Sequence, residues 1–191
     1  MGMPIATLVV GRLTSGTVSR MIGRMERNAP AVKPIKFILD VHLGRLARWL
    51  RMLGFDALYR NDYDDPEIVK IAGQEGRTIL TRDLGIMKRR AVTHGYHVQS
   101  TKPREQLHEV LARYQLRDQI KPFHRCIVCN GLLQSVPKEA VVNELEPKTA
   151  LYYDEFFQCG ACRKIYWRGS HFEQMTTFIN GLNGQLGDDE R

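Results

Sequence analysis

The sequence predicts an α/β protein built on a mainly parallel sheet, followed by a small cysteine-rich module. Three observations predict it. Short apolar runs alternate with helix-length amphipathic segments between residues 35 and 114. Asp40, Asp65 and Asp83 each stand where an apolar segment gives way to a turn or a helix start. All four cysteines fall beyond that region, in two Cys-x-x-Cys pairs.

The elements follow in order. Ile35–Leu39 (IKFIL) predicts a buried strand ending at Asp40. Leu43–Leu53 (LGRLARWLRML) places Leu43, Leu46, Ala47, Leu50 and Leu53 near helical spacing, beside Arg45, Arg48 and Arg51. Gly54 then closes that helix as a cap. Phe55–Tyr59 reads as a second strand, followed by a polar loop over Arg60–Asp64. Pro66 suits a first helical position, which makes Asp65 the N-cap of a helix through Ile68, Val69, Ile71 and Ala72. Gly76 breaks it, and Arg77–Thr81 (RTILT) leads as a third strand to Asp83. A helix is expected over Ile86–Thr93, a fourth strand at His97–Gln99 and an amphipathic helix over Pro103–Tyr114. Strands alternating with helices of this length imply right-handed crossovers and a mainly parallel sheet. Beyond Asp118 the composition shifts, and Ala140–Leu145 reads as a strand.

With 43% hydrophobic and 26% charged residues over 191 positions, the chain is of ordinary globular composition. No apolar run approaches the roughly 20 residues that span a bilayer. A soluble, cytoplasmic protein is the expectation. The formal charge of +7 is uneven: residues 1–36 carry six basic residues against one acid, whereas residues 121–191 carry eight against nine. Such a balance suits a polyanionic partner, although solubility alone accounts for a basic surface equally well. Residues 1–34 form a basic extension, expected to be flexible, whose composition resembles a transit peptide. A nucleic-acid-binding arm fits it as well, and no function is assigned.

Two constellations carry chemistry. Cys126/Cys129 and Cys159/Cys162 each present two thiolates to one ion, and together they complete a closed, structural zinc site. Two disulfides are the alternative, disfavoured because nothing signals export. The aspartates form the second constellation. In an open parallel sheet, strand ends of one polarity gather along one crevice, and carboxylates meeting there need a hard cation such as magnesium or manganese. Each aspartate also has a plainer use as a cap or turn residue, and Asp64 and Glu67 are nearby spare acids. Arg45, Arg48 and Arg51 after Asp40, with Arg82, Lys88, Arg89 and Arg90 around Asp83, are placed to hold phosphates. His42, two residues after Asp40, reads as a turn or packing residue more readily than as a catalytic one. Tyr166 and Trp167, beside the second cysteine pair, suit either packing or stacking on bases.

Four segments, FILDVHLGRLARWLRMLGFDALY (37–59), DDPEIVKIA (64–72), GRTILTRD (76–83) and RCIVCNGLL…FFQCGACRKIYWRGSH (125–171), together resemble the Mut-seven-C RNase family of PIN-like ribonucleases. The resemblance implies a PIN-like three-layer α/β/α domain over 35–120, a zinc ribbon over 121–173 and a tail over 174–191. It implies RNA as substrate, cleaved with magnesium or manganese held by Asp40, Asp65 and Asp83. One departure stands out: many PIN-like enzymes carry a further acid after the third aspartate, where this chain has Leu84 and Gly85. The activity expected is therefore that of a divalent-metal-dependent ribonuclease, a hydrolase of endonuclease type. The ribbon is expected to contribute docking of substrate or of a protein partner. The rival is a noncatalytic nucleic-acid-binding or assembly module. A phosphotransferase with Asp40 as nucleophile is disfavoured, because His42 stands where a second acid would be needed.

Overall fold

A computed structural model describes residues 34–170 together with 172, 173, 177 and 181. The N-terminal extension and most of the tail lie outside the described residues. From Ile35 onward the described residues form a single compact unit.

Four short strands pair in parallel: β1 (Lys36–Leu39), β2 (Asp56–Leu58), β3 (Thr78–Thr81) and β4 (Gly95–His97), in the order β2-β1-β3-β4. The two inner strands read as continuous apolar runs because both of their faces are covered. Phe37, Leu39 and Leu80 point into one core, which α1 (Gly44–Met52) and α4 (Pro103–Arg113) close with Leu46, Leu50, Leu107, Val110 and Leu111. Ile38 and Ile79 point to the opposite face, where α2 (Asp65–Glu75) and α3 (Leu84–Met87) supply Ile68, Val69, Ala72 and Ile86. Each such valine, leucine, isoleucine or phenylalanine side chain removed from water stabilises the fold by about 1.5–3 kcal/mol before entropy is counted.

Three expected elements differ from those observed. The helix expected over Ile86–Thr93 stops after Met87, because the chain must return at once to β4. Arg89 N–H bonds the Ile86 carbonyl and Val92 N–H the Arg89 carbonyl, giving tight turns in place of a helix. The fourth strand sits two residues earlier than expected, in register Ile79↔Gly95 to Thr81↔His97, and buried Val98 follows it. Ala140–Leu145 is no strand. Pro137 opens a turn of 3-10 helix at Lys138–Ala140, and another follows at Val142–Glu144. These turns satisfy their own amides, as Ala140 N–H to the Pro137 carbonyl at 3.1 Å shows.

The cysteine region forms a three-stranded antiparallel sheet, β5 (Leu133–Val136), β6 (Phe156–Cys159) and β7 (Ile165–Trp167), with the short α5 (Pro147–Tyr152) between its first two strands. Gly54, with φ +94°, lets the two parts meet. Lys121 N–H bonds the Leu53 carbonyl at 2.8 Å, and a Cβ at residue 54 would run into the Lys121 carbonyl oxygen. Among the described residues no helix is long and apolar enough to cross a membrane.

Candidate functional site

Because all four strands of the larger sheet are parallel, their C-terminal ends lie along one edge. Asp40 follows β1 directly, Asp83 stands two residues beyond β3, and Asp65 opens α2, the helix after β2. Asp40 is buried, and donors surround its carboxylate. Oδ1 accepts from His42 N–H at 2.7 Å; Oδ2 accepts from the Thr81 hydroxyl and from Arg82 N–H at 3.0 Å. The same Thr81 oxygen accepts from Asp83 N–H at 2.8 Å. One fully buried hydroxyl thus ties the ends of adjacent strands β1 and β3 together, joining the Asp40 carboxylate to the backbone amide of Asp83.

Asp83 caps α3 through Gly85 N–H at 2.6 Å, and no other described group bonds its second oxygen. Asp65 does not cap α2. That role belongs to Asp64, which accepts from Glu67 N–H at 2.8 Å and leaves Asp65 and Pro66 inside the first turn. The Asp64-x-x-Glu67 spacing is the sequence signal for this arrangement. Asp65 is released for other use, and its Oδ2 accepts from Arg89 at 3.1 Å in a partly exposed ion pair.

The phosphate-binding candidates divide. Arg45, Arg48, Arg82, Lys88, Arg89 and Arg90 are all exposed, with Lys88 capping α3 and Arg89 and Arg90 in the turns after it, not on a helix. Arg51 is different. Its guanidinium is buried and donates to the carbonyls of Ala57 at 2.8 Å, Tyr59 at 3.2 Å, Ile127 at 3.3 Å and Val128 at 2.8 Å. Burial lowers its pKa, while nearby Cys129, Cys126 and Asp56 favour the charged form. Arg51 is a clamp on the first cysteine turn and holds no phosphate.

The four cysteines are the group of metal-ligating side chains that this arrangement gathers. Their Sγ atoms lie within 4.8 Å of one another, and they are the only set of three or more His, Cys, Asp or Glu so placed among the described residues. All four are free thiols. Cys126–Cys162 and Cys129–Cys159 sulfurs stand 3.6 and 3.4 Å apart, far beyond a disulfide bond. An ion about 2.3 Å from each of four sulfurs would set them about 3.8 Å apart, so the donor set fits a metal such as zinc.

The two turns are built alike. Cys129 N–H points to the Cys126 sulfur and Cys162 N–H to the Cys159 sulfur, each at 3.5 Å. The next residues, Asn130 (φ 70°) and Arg163 (φ 63°), both adopt the left-handed conformation. Burial alone would raise the Cys126 thiol; hydrogen bonds from Tyr166 and from the amides of Cys129 and Val128 bring it to about 7. Burial and neighbouring thiols push Cys129 up to about 12. Burial and the adjacent Cys126 raise the Tyr166 phenol, so its hydroxyl, 3.0 Å away, donates to the Cys126 sulfur.

The family model described as the Mut7-C RNAse domain matches residues 35–179, a span that takes in the aspartate edge and all four cysteines. The chain belongs to this family. No match was found among curated proteins or among solved structures. A Mut7-C RNAse domain points to a nuclease-like role with RNA as the substrate class. Within it, two residues escape a reading of the sequence alone. Asp56 accepts from Arg77 and Asn130, at 2.7 and 2.8 Å, and pairs with Arg125 at 3.2 Å. Asn130 also accepts the Ala57 amide. Both lie in segments that carry the family resemblance, but nothing there singles them out: the available signal was only an acid within an otherwise apolar strand and an asparagine after a cysteine pair.

Proposed function

We propose that this Mut7-C RNAse domain is a PIN-like, divalent-metal-dependent ribonuclease whose centre is the C-terminal edge of the parallel sheet, with structural zinc in the four-cysteine site. The observation that supports the reading is the Thr81 hydroxyl, which donates to the Asp40 carboxylate and accepts the Asp83 backbone amide at the ends of adjacent strands. The donor chemistry suits magnesium or manganese: an ionised carboxylate offers about four acceptor sites, and each aspartate uses only part of that capacity within the chain. Asp40, Asp83 and, on parting from Arg89, Asp65 would hold the ion. It would supply a nucleophile at neutral pH and neutralise charge on the scissile phosphate.

The chain's own groups do the rest. Arg82, Lys88, Arg89 and Arg90 surround this edge with exposed positive charge that positions the phosphates flanking the cleaved bond. Arg45 and Arg48 extend that charge along α1. Thr81 and the amides of His42 and Arg82 hold the Asp40 carboxylate in place, so the edge needs little reorganisation when substrate arrives. Endonucleolytic cleavage and RNA as substrate belong to the same reading.

The test is manganese-dependent cleavage of single-stranded and structured RNA by wild type, Asp40→Asn and Asp83→Asn. Both substitutions are expected to reduce cleavage at least a hundredfold, as loss of a principal electrostatic group does. Cleavage that survives both changes rules out this centre.

A further inference from the structure

Between α1 and the antiparallel sheet opens a cavity of about 690 Å³, lined by none of Asp40, Asp65 and Asp83 and within the roughly 300–1,000 Å³ range of ligand sites. Its wall includes Arg48 of α1 and Phe123, Tyr153, Lys164, Tyr166 and Trp167 of the cysteine-bearing region. No carboxylate is among its described lining residues. Arg48 and Lys164 are exposed, and neither forms an ion pair among the described residues.

The rings differ in how they are held. Phe123 is stacked on Phe157 at 5.1 Å, and the Tyr166 hydroxyl is engaged by Cys126. Tyr153 and Trp167 meet at 6.4 Å with their planes inclined by 42°, so neither ring is covered face to face by the other. Trp167 keeps 36% of its surface exposed. The acids that follow Tyr153, Asp154 and Glu155, are engaged by Lys138 and Arg168, so a large exposed aromatic and cations in a wall without carboxylates suit a ligand that offers flat apolar faces and negative charge together. Nucleotides have both: bases stack on aromatic rings in a sequence-tolerant way while phosphates meet the cations. In a duplex the bases already cover one another, so the fit is to an unpaired strand.

We propose that this cleft binds single-stranded nucleic acid, with bases against Trp167 and Tyr153 and backbone phosphates at Arg48 and Lys164. The proposal extends the ribonuclease reading, on which its biological meaning rests, but the binding itself requires no cleavage.

The experiment measures fluorescence anisotropy of a labelled RNA strand, the same strand as DNA, and its duplex, with the full chain and no added divalent cation. Single strands are expected to bind at least tenfold more tightly than duplex, and the tighter of RNA and DNA identifies the natural strand. Trp167→Ala should weaken binding about tenfold, with Trp167→Phe restoring most of it. Arg48→Glu should weaken binding and flatten its salt dependence. Arg48 is exposed on its helix, so this variant reports even where Trp167→Ala unfolds, a state its thermal melt would reveal. Binding of duplex as tight as single strand, no nucleic-acid binding at all (as a peptide-binding cleft would give), or folded Trp167 and Arg48 variants that bind like wild type would each overturn the proposal. A wild type that fails to cleave RNA with manganese yet binds strands through Trp167 defeats the nuclease reading alone. Cleavage that depends on Asp83, with binding indifferent to Trp167, defeats this one alone.

Discussion

The side-chain oxygen of Asn130 accepts the amide hydrogen of Ala57 at 3.0 Å, across 73 positions of sequence. Ala57 lies on β2, the outer strand of the parallel sheet, so a residue next to a cysteine pair completes hydrogen bonding that the sheet leaves open on that side. Its amide nitrogen continues to Asp56, where Arg77 and Arg125 also converge.

Removing this latch should cost stability in proportion to the buried groups left unpaired. Asn130→Ala is expected to destabilise the protein by about 1–3 kcal/mol for the Ala57 amide and the Asp56 carboxylate. The left-handed backbone at that position, which alanine tolerates poorly, adds to the cost. Denaturant unfolding monitored by circular dichroism measures it, and a midpoint equal to that of wild type would show that the latch contributes nothing.

Asp56 should make the fold sensitive to acid. Burial alone would raise its pKa; hydrogen bonds from Arg77 and Asn130, helped by the charges of Arg77 and Arg125, hold it below the ordinary carboxylate value. In the unfolded chain the group takes a proton near pH 3.9. The stabilisation is therefore complete above that pH, and it is lost as pH falls through the lower native pKa. Unfolding midpoints recorded from pH 7 to pH 3 should fall for wild type more steeply than for Asp56→Asn, which starts less stable and has no such carboxylate to titrate. Parallel curves would disprove the assignment.

Thr81→Val keeps the shape of a buried side chain while deleting the hydroxyl that joins Asp40 to Asp83. The expected loss is about 1–3 kcal/mol in stability, from leaving Asp40 one donor short. Cleavage by the proposed centre should fall on the order of a hundredfold as the Asp40 carboxylate loses a donor that holds it and the Asp83 amide loses its acceptor. Thr81→Ser, which restores the hydroxyl, should recover most of the rate. Equal rates for the valine and serine variants would show that the link positions nothing.

The four-thiolate site should hold about one zinc ion per chain, measured by elemental analysis of purified protein. Cys159→Ser should lose the metal and lower the melting temperature, because β6 ends in that ligand and Gly160 N–H bonds the Leu132 carbonyl beside it. Metal-free protein with its full melting temperature would rule out a structural ion.

The larger sheet was legible where apolar segments are bounded by glycine, proline or aspartate, as in β1 and β3, and the family resemblance rested on those same segments; β4 (Gly95–His97) has no such apolar run and starts two residues earlier than expected. The cysteine spacing likewise announced a four-thiolate cluster. What stayed hidden depends on long-range partners. Arg51 has the same helical spacing as Arg45 and Arg48, and only its burial against the Ile127 and Val128 carbonyls shows that it clamps a turn. Val141 and Val142 suggested a strand by their branching, yet local turns took up the backbone amides. Asp65 looked like a cap because proline follows it, while one residue earlier Asp64 had the better-placed carboxylate.

The latch onto β2 also bears on biosynthesis. The parallel sheet can assemble once α4 has left the ribosome, but the segment that seals its outer strand emerges later. During that interval the nascent polypeptide displays an open β edge, a template for pairing with neighbouring chains. Premature stop codons upstream of residue 130 should therefore yield aggregating fragments instead of small soluble proteins.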